Sequence, residues 1–171
     1  MITPVQSPCA RLEVVTHGGA QTFDLGARIA PHLRPGDVLP LWGDFGSGKT
    51  TFAQGVAQGL GIASPVVSPS FGLVHEYRAP APFNYDLYHL DLYRIESLAE
   101  ALAFGVDELL GGDNVCLVEW PDAAADALPG DRLEVWFEHV GEHNRSLKFR
   151  ALGERAAHTL THLQASLPSG Y

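Results

Sequence analysis

"GDFGSGKT", Gly43 to Thr50, sets three glycines, a lysine and a hydroxyl into eight residues directly behind an apolar stretch. Ordering a glycine costs more backbone entropy than ordering any other residue, so such a cluster needs a reason. A flexible connection is one reason and a phosphate cradle is another. The stretch meets G-x-x-x-x-G-K-[ST] at every fixed position. In that pattern glycines let main-chain N–H groups close on phosphate oxygens with no Cβ in the way. A helix starting near Lys49 adds unsatisfied N–H groups and a positive dipole end. The expected cradle is the run of amides through Gly46, Ser47, Gly48, Lys49, Thr50 and Thr51. Lys49 brings a compact charge to the β- and γ-phosphates, and the Thr50 hydroxyl suits magnesium, which prefers hard oxygen ligands.

The flanks give the cluster its context. Before it, "VLPLW" (Val38 to Trp42) reads as a buried strand whose Pro40 predicts a bulge or an unpaired position. After it, Phe52, Val56 and Leu60 share one helical face that Gly61 ends. Upstream, "RLEVVT" reads as a strand, and Thr22 as the N-cap of a helix carrying Leu25, Ile29 and Leu33. Downstream, "GLVHEY" and "YDLYHLDLYRI" form two antiparallel strands around "RAPAP", and Ser97 with Glu100 forms a capping box for a helix over Leu98 to Phe104. "NVCLVEW" (Asn114 to Trp120) is apolar without alternation, as a strand covered on both faces should be. "DRLEVWFEH" and "NRSLKFRAL" alternate like a closing hairpin, and "ERAAHTLTHLQASL" is a last amphipathic helix. Together these predict one domain over 1–171, a three-layer α/β P-loop NTPase-like fold with a mixed, mostly parallel sheet.

Composition narrows the partners. The chain has 171 residues, 46% of them hydrophobic, enough for a real core. A net charge of −9 argues against a broad basic face for duplex nucleic acid, though not against a partner that holds nucleic acid. No apolar run reaches bilayer length, "MITPVQSPCARLEVV" lacks a signal-peptide layout, and Cys9 and Cys116 do not suggest a disulfide or zinc framework. A reduced, cytoplasmic setting is expected.

A magnesium nucleotide needs a carboxylate near the loop, at the end of an apolar strand. Glu119 closes "VCLVE" like a Walker B acid; the bland alternative is a surface glutamate. "DLY" occurs twice, at Asp86 and Asp91, five residues apart and therefore on opposite faces of an extended strand. Pattern favours Asp91, nearer the strand's C-terminal end, against a solvated charge or an ion pair with Arg94. Trp120 either caps the core or lies near the nucleotide. Ser68 and Ser70 either sense a γ-phosphate or are turn residues, and the turn reading leads. His158 and His162 read as a solvated face, His75 and His89 as structural.

"GDFGSGKTTFAQG", "VSPSFGLVHEY", "YHLDLYRI" and "VCLVEWPD" together resemble the TsaE family, small bacterial P-loop ATPases required for threonylcarbamoyladenosine formation in tRNA. The resemblance runs from about Thr22 to Arg145. It implies that Lys49 binds phosphate, that Thr50 and Glu119 serve magnesium, and that Asp91 rather than Asp86 serves ATP hydrolysis. It also sets Trp120 beside the active site and Thr22 near the adenine end. The implied partners are TsaD and TsaB, which carry the tRNA. Ser68 and Ser70 stand where many relatives have threonine, and "EHNRS" matches loosely a segment often basic, so a nucleotide contact by Arg145 is not implied. Two other classes share the loop: a small-molecule kinase, for which no arginine-bearing lid stands out, and a nucleotide-gated module with negligible turnover.

Overall fold

In a computed structural model, described for residues 10–69 and 72–168, one sheet of seven strands organises the chain. The strands are β1 (Arg11–Thr16), β2 (Val38–Trp42), β3 (Val74–Arg78), β4 (Asp86–Asp91), β5 (Val115–Glu119), β6 (Arg132–His139) and β7 (Arg145–Leu152). The helices are α1 (Gly19–Ile29), α2 (Lys49–Gly59), α3 (Leu98–Ala103), α4 (Val106–Leu110) and α5 (Glu154–Ser166), with 3-10 turns at Ala30–His32 and Pro121–Ala127. The strand order is β1-β7-β6-β2-β5-β4-β3. The central four, β6, β2, β5 and β4, run parallel, and the outer pairings are antiparallel.

Alternation along the strands sorts side chains onto two faces. Leu39, Leu41, Leu117, Val135 and Phe149 meet Phe52 and Val56 of α2, Leu25 and Ile29 of α1, and Leu160 of α5. On the other face Val38, Leu90, Cys116 and Val118 meet Ala101, Val106 and Leu110. The second helical layer covers β2, β5 and β4; beyond it β6 and β7 turn Trp136, Glu138 and Lys148 outward. That is why β6 and β7 alternate in sequence while β5 does not.

Pro40 sits inside β2. The Asp37 carbonyl accepts from Cys116 N (2.9 Å), which fixes odd-numbered backbone groups toward β5. Pro40's missing N–H therefore faces β6, where pairing begins only at Leu41. Trp42 and Trp136 follow as cross-strand partners with rings stacked at 4.8 Å and 7°. The helix start differs from the N-cap reading of Thr22. Gly18 is the cap, without a side-chain bond, and α1 begins at Gly19. Thr22 lies a turn inside, its hydroxyl 2.8 Å from that of Thr16. Cys9 and Ser70 lie outside the described residues. Among those described, no helix is long and apolar enough to cross a membrane.

Candidate functional site

The parallel strands β2, β5 and β4 end together, and α2 starts over their carboxyl ends. Gly48 caps α2 at φ 106°, a left-handed conformation that costs a residue with a Cβ about 1–2 kcal/mol. It sits in the run Gly46 to Thr51 that lines an open cavity of ≈ 270 Å³. Every site residue read from the sequence lines this cavity except Thr22, and Phe45 and Ser68 join them. Thr22 is instead buried behind the loop; a Cβ on Gly48 would sit 3.3 Å from its Cγ2.

Lys49 is 4% exposed, and its Nζ donates to the carbonyls of Gly43 (2.6 Å) and Asp44 (2.8 Å) and lies 4.1 Å from the Trp120 ring centroid. Burial lowers its pKa, while the charges of Glu119, Asp91, Asp44 and Asp122 pull the other way. Trp120 adopts φ 53°, a strained conformation for a non-glycine residue, and packs with Phe45 (4.7 Å) and Tyr93 (5.1 Å). Trp120 thus covers Lys49 and lines the cavity, and it belongs to neither core cluster.

The acids come from register. Asp91 and Glu119 are cross-strand partners on β4 and β5, so both face α2. The Thr50 hydroxyl donates to Glu119 Oε1 at 2.8 Å. Asp91 Oδ2 accepts from the Ser68 hydroxyl (2.5 Å) and Oδ1 from Tyr93 N (3.0 Å). Asp86 pairs with Arg78 (3.0 Å) on the outer edge, away from the cavity. A threonine hydroxyl and two carboxylates make a hard-oxygen set, the chemistry magnesium takes.

Ser68, which the sequence leaves between a γ-phosphate-sensing hydroxyl and a turn residue, bonds Asp91 and lines the cavity; one further residue escaped the sequence reading. His89, taken as structural, places Nε2 2.8 Å from Glu119 Oε1. Its signal was present only as spacing: two residues before Asp91, hence on the same face. Arg145 reaches the loop rather than the cavity wall, donating to Gly46 O (3.3 Å). His158 and His162 bond to each other (3.1 Å), and His162 stacks on His32.

A strand, a glycine loop and a helix, with an acid from the adjoining strand bonded to the loop's threonine, define a P-loop nucleotide-binding protein. The family model described as threonylcarbamoyl adenosine biosynthesis protein TsaE matches residues 16–147. The chain belongs to the TsaE family. It is 44% identical over 135 residues to the tRNA threonylcarbamoyladenosine biosynthesis protein TsaE of Bacillus subtilis, covering 79% of this chain and 82% of that one. The protein of the same name from Treponema pallidum is 32% identical over 136 residues, 80% of this chain and 98% of that one. A crystal structure of Bacillus subtilis YdiB superposes with a TM-score of 0.78 at 34% identity, covering 93% of this chain and 97% of that chain.

Proposed function

We propose that this chain is a magnesium-dependent ATP hydrolase, a single cytoplasmic domain that works with TsaD and TsaB in forming the threonylcarbamoyladenosine of tRNA and meets tRNA only through them. The names of its relatives support the pathway. The observation that carries the chemistry is the 2.8 Å bond from Thr50 to Glu119, which ties the phosphate loop to a carboxylate at a strand end.

In this reading Lys49 and the amides from Gly46 to Thr51 stabilise charge on the transferring phosphoryl group. Thr50 and Glu119 hold the metal directly or through water. Magnesium, when bound, neutralises charge across the β- and γ-phosphates. Asp91, held by Ser68 and Tyr93 N, orients or activates the attacking water.

Phosphate release, measured for the chain alone and with TsaD and TsaB, tests the reading. Lys49→Ala should lose ATP binding or turnover. Glu119→Ala should keep some nucleotide binding and lose the magnesium-dependent step. Normal hydrolysis by Lys49→Ala in the presence of both partners would overturn the assignment. Nucleotide binding without any phosphate release would instead make the chain a switch.

A further inference from the structure

We propose that His89 is a positioning residue that clamps one oxygen of Glu119 and so presents the other to the metal. The inference rests on the magnesium reading of the site. His89 is 0% exposed and lies on β4 between Leu87 and Asp91 on the face toward α2. Its Nε2 and the Thr50 hydroxyl both meet Glu119 Oε1, each at 2.8 Å. A carboxylate only accepts, so in this contact Nε2 is the donor. Nδ1 is buried and has no hydrogen-bond partner among the described residues.

That orphaned nitrogen argues for the role. A side chain present only to fill space would do better as leucine, since a buried unpaired polar atom destabilises and adds no packing. What the imidazole does provide is a fixed donor. With Oε1 held from two sides, Oε2, which accepts no hydrogen bond among the described residues, is left for a metal or its water. Without the clamp the carboxylate could rotate toward Lys49, whose strongest attraction is to Glu119. That rotation would occupy a metal ligand and a phosphate-binding cation at once.

Two measurements test this. Imidazole nitrogen NMR of the wild-type protein, with the His89 signal assigned through His89→Gln, should show the Nε2–H tautomer. The same signal should move in Glu119→Gln. An Nδ1–H tautomer would overturn the proposal. Separately, calorimetry with a non-hydrolysable ATP analogue gives the magnesium concentration for half-maximal binding. His89→Leu should raise it about tenfold, the usual cost of losing a group that orients a metal ligand. Binding of the analogue in EDTA should not change. His89→Gln, which keeps a donor near Nε2, should return the midpoint close to wild type. An unchanged midpoint in His89→Leu, or equal loss in both variants, would overturn the clamp. The tautomer and His89→Gln need no tolerated cavity, so they decide the matter even if His89→Leu does not fold. Wild-type binding that ignores magnesium would overturn the metal reading itself, and this role with it, while the tautomer would still report the bond.

Discussion

Cys116 sits in the middle of β5, 1% exposed, where its thiol donates to Leu109 O (3.2 Å) and accepts from Asn114 Nδ2 (3.0 Å). Burial pushes the thiol up to about 12 from an ordinary 9.0. The unfolded chain therefore loses this proton first, and between pH 9 and about 12 it binds fewer protons than the folded one. The stability that Cys116 contributes is complete below pH 9 and drains away above it. In a Cys9→Ser background, iodoacetamide at pH 8.5 should label Cys116 only after denaturant is added, and the urea midpoint should fall less from pH 8 to 10 in Cys116→Ala. At this scale alternation put Asp86 and Asp91 on opposite faces, and nearness to the strand's C-terminal end, together with the family resemblance, favoured Asp91. His89 stayed hidden because its partner lies 30 residues away and only register joins them. Thr22 misled because a hydroxyl ahead of an apolar run signals a cap, whereas Gly18 caps with no side chain to read.

Helices α1 and α2 touch backbone to backbone. A Cβ on Gly55 would collide with the Phe23 carbonyl oxygen, and one on Gly26 with that of Phe52. Alanine at an ordinary helical glycine would add about 1 kcal/mol through propensity. Here overpacking should cost about 1–3 kcal/mol or more, so Gly55→Ala should lower the urea midpoint. A rise would mean the helices do not meet there. At the start of α3, Ser97 Oγ accepts from Glu100 N (3.2 Å), while the Glu100 carboxylate accepts from Glu96 N (3.0 Å) instead of Ser97 N. The expected capping box is thus half formed and slipped by one residue. Ser97→Ala should still cost about 1 kcal/mol, read from thermal unfolding. Element types were legible because periodicity and punctuation are local. The helix expected over Leu98 to Phe104 is α3 to within a residue; α4, which follows Gly105 at φ 74°, is too short to show a period and had no counterpart in the sequence reading.

Across the whole molecule, Lys49 and Thr50 come from the start of α2, and Asp91 and Glu119 from the ends of β4 and β5. Bound nucleotide should therefore resist unfolding of the entire sheet. At a hundredfold excess over Kd the gain is about 2.7 kcal/mol, visible as a rise in Tm that Lys49→Ala abolishes. Sheet order was not readable in advance, since it depends on which strands meet across long separations. The alternation of β6 and β7 was readable as a hairpin, and its cause is a face of β6 left bare. That bareness leaves the Trp42–Trp136 pair at the sheet surface with its rings nearly parallel. Two indoles stacked at 4.8 Å share their electronic excitations, so the far-ultraviolet dichroism should carry a contribution from the pair whose sign and size follow the in-plane twist between the rings. Trp136→Phe should erase it, and slippage of one strand past the other by a single residue should do the same. The protein therefore holds an intrinsic optical gauge of how its central strands are aligned.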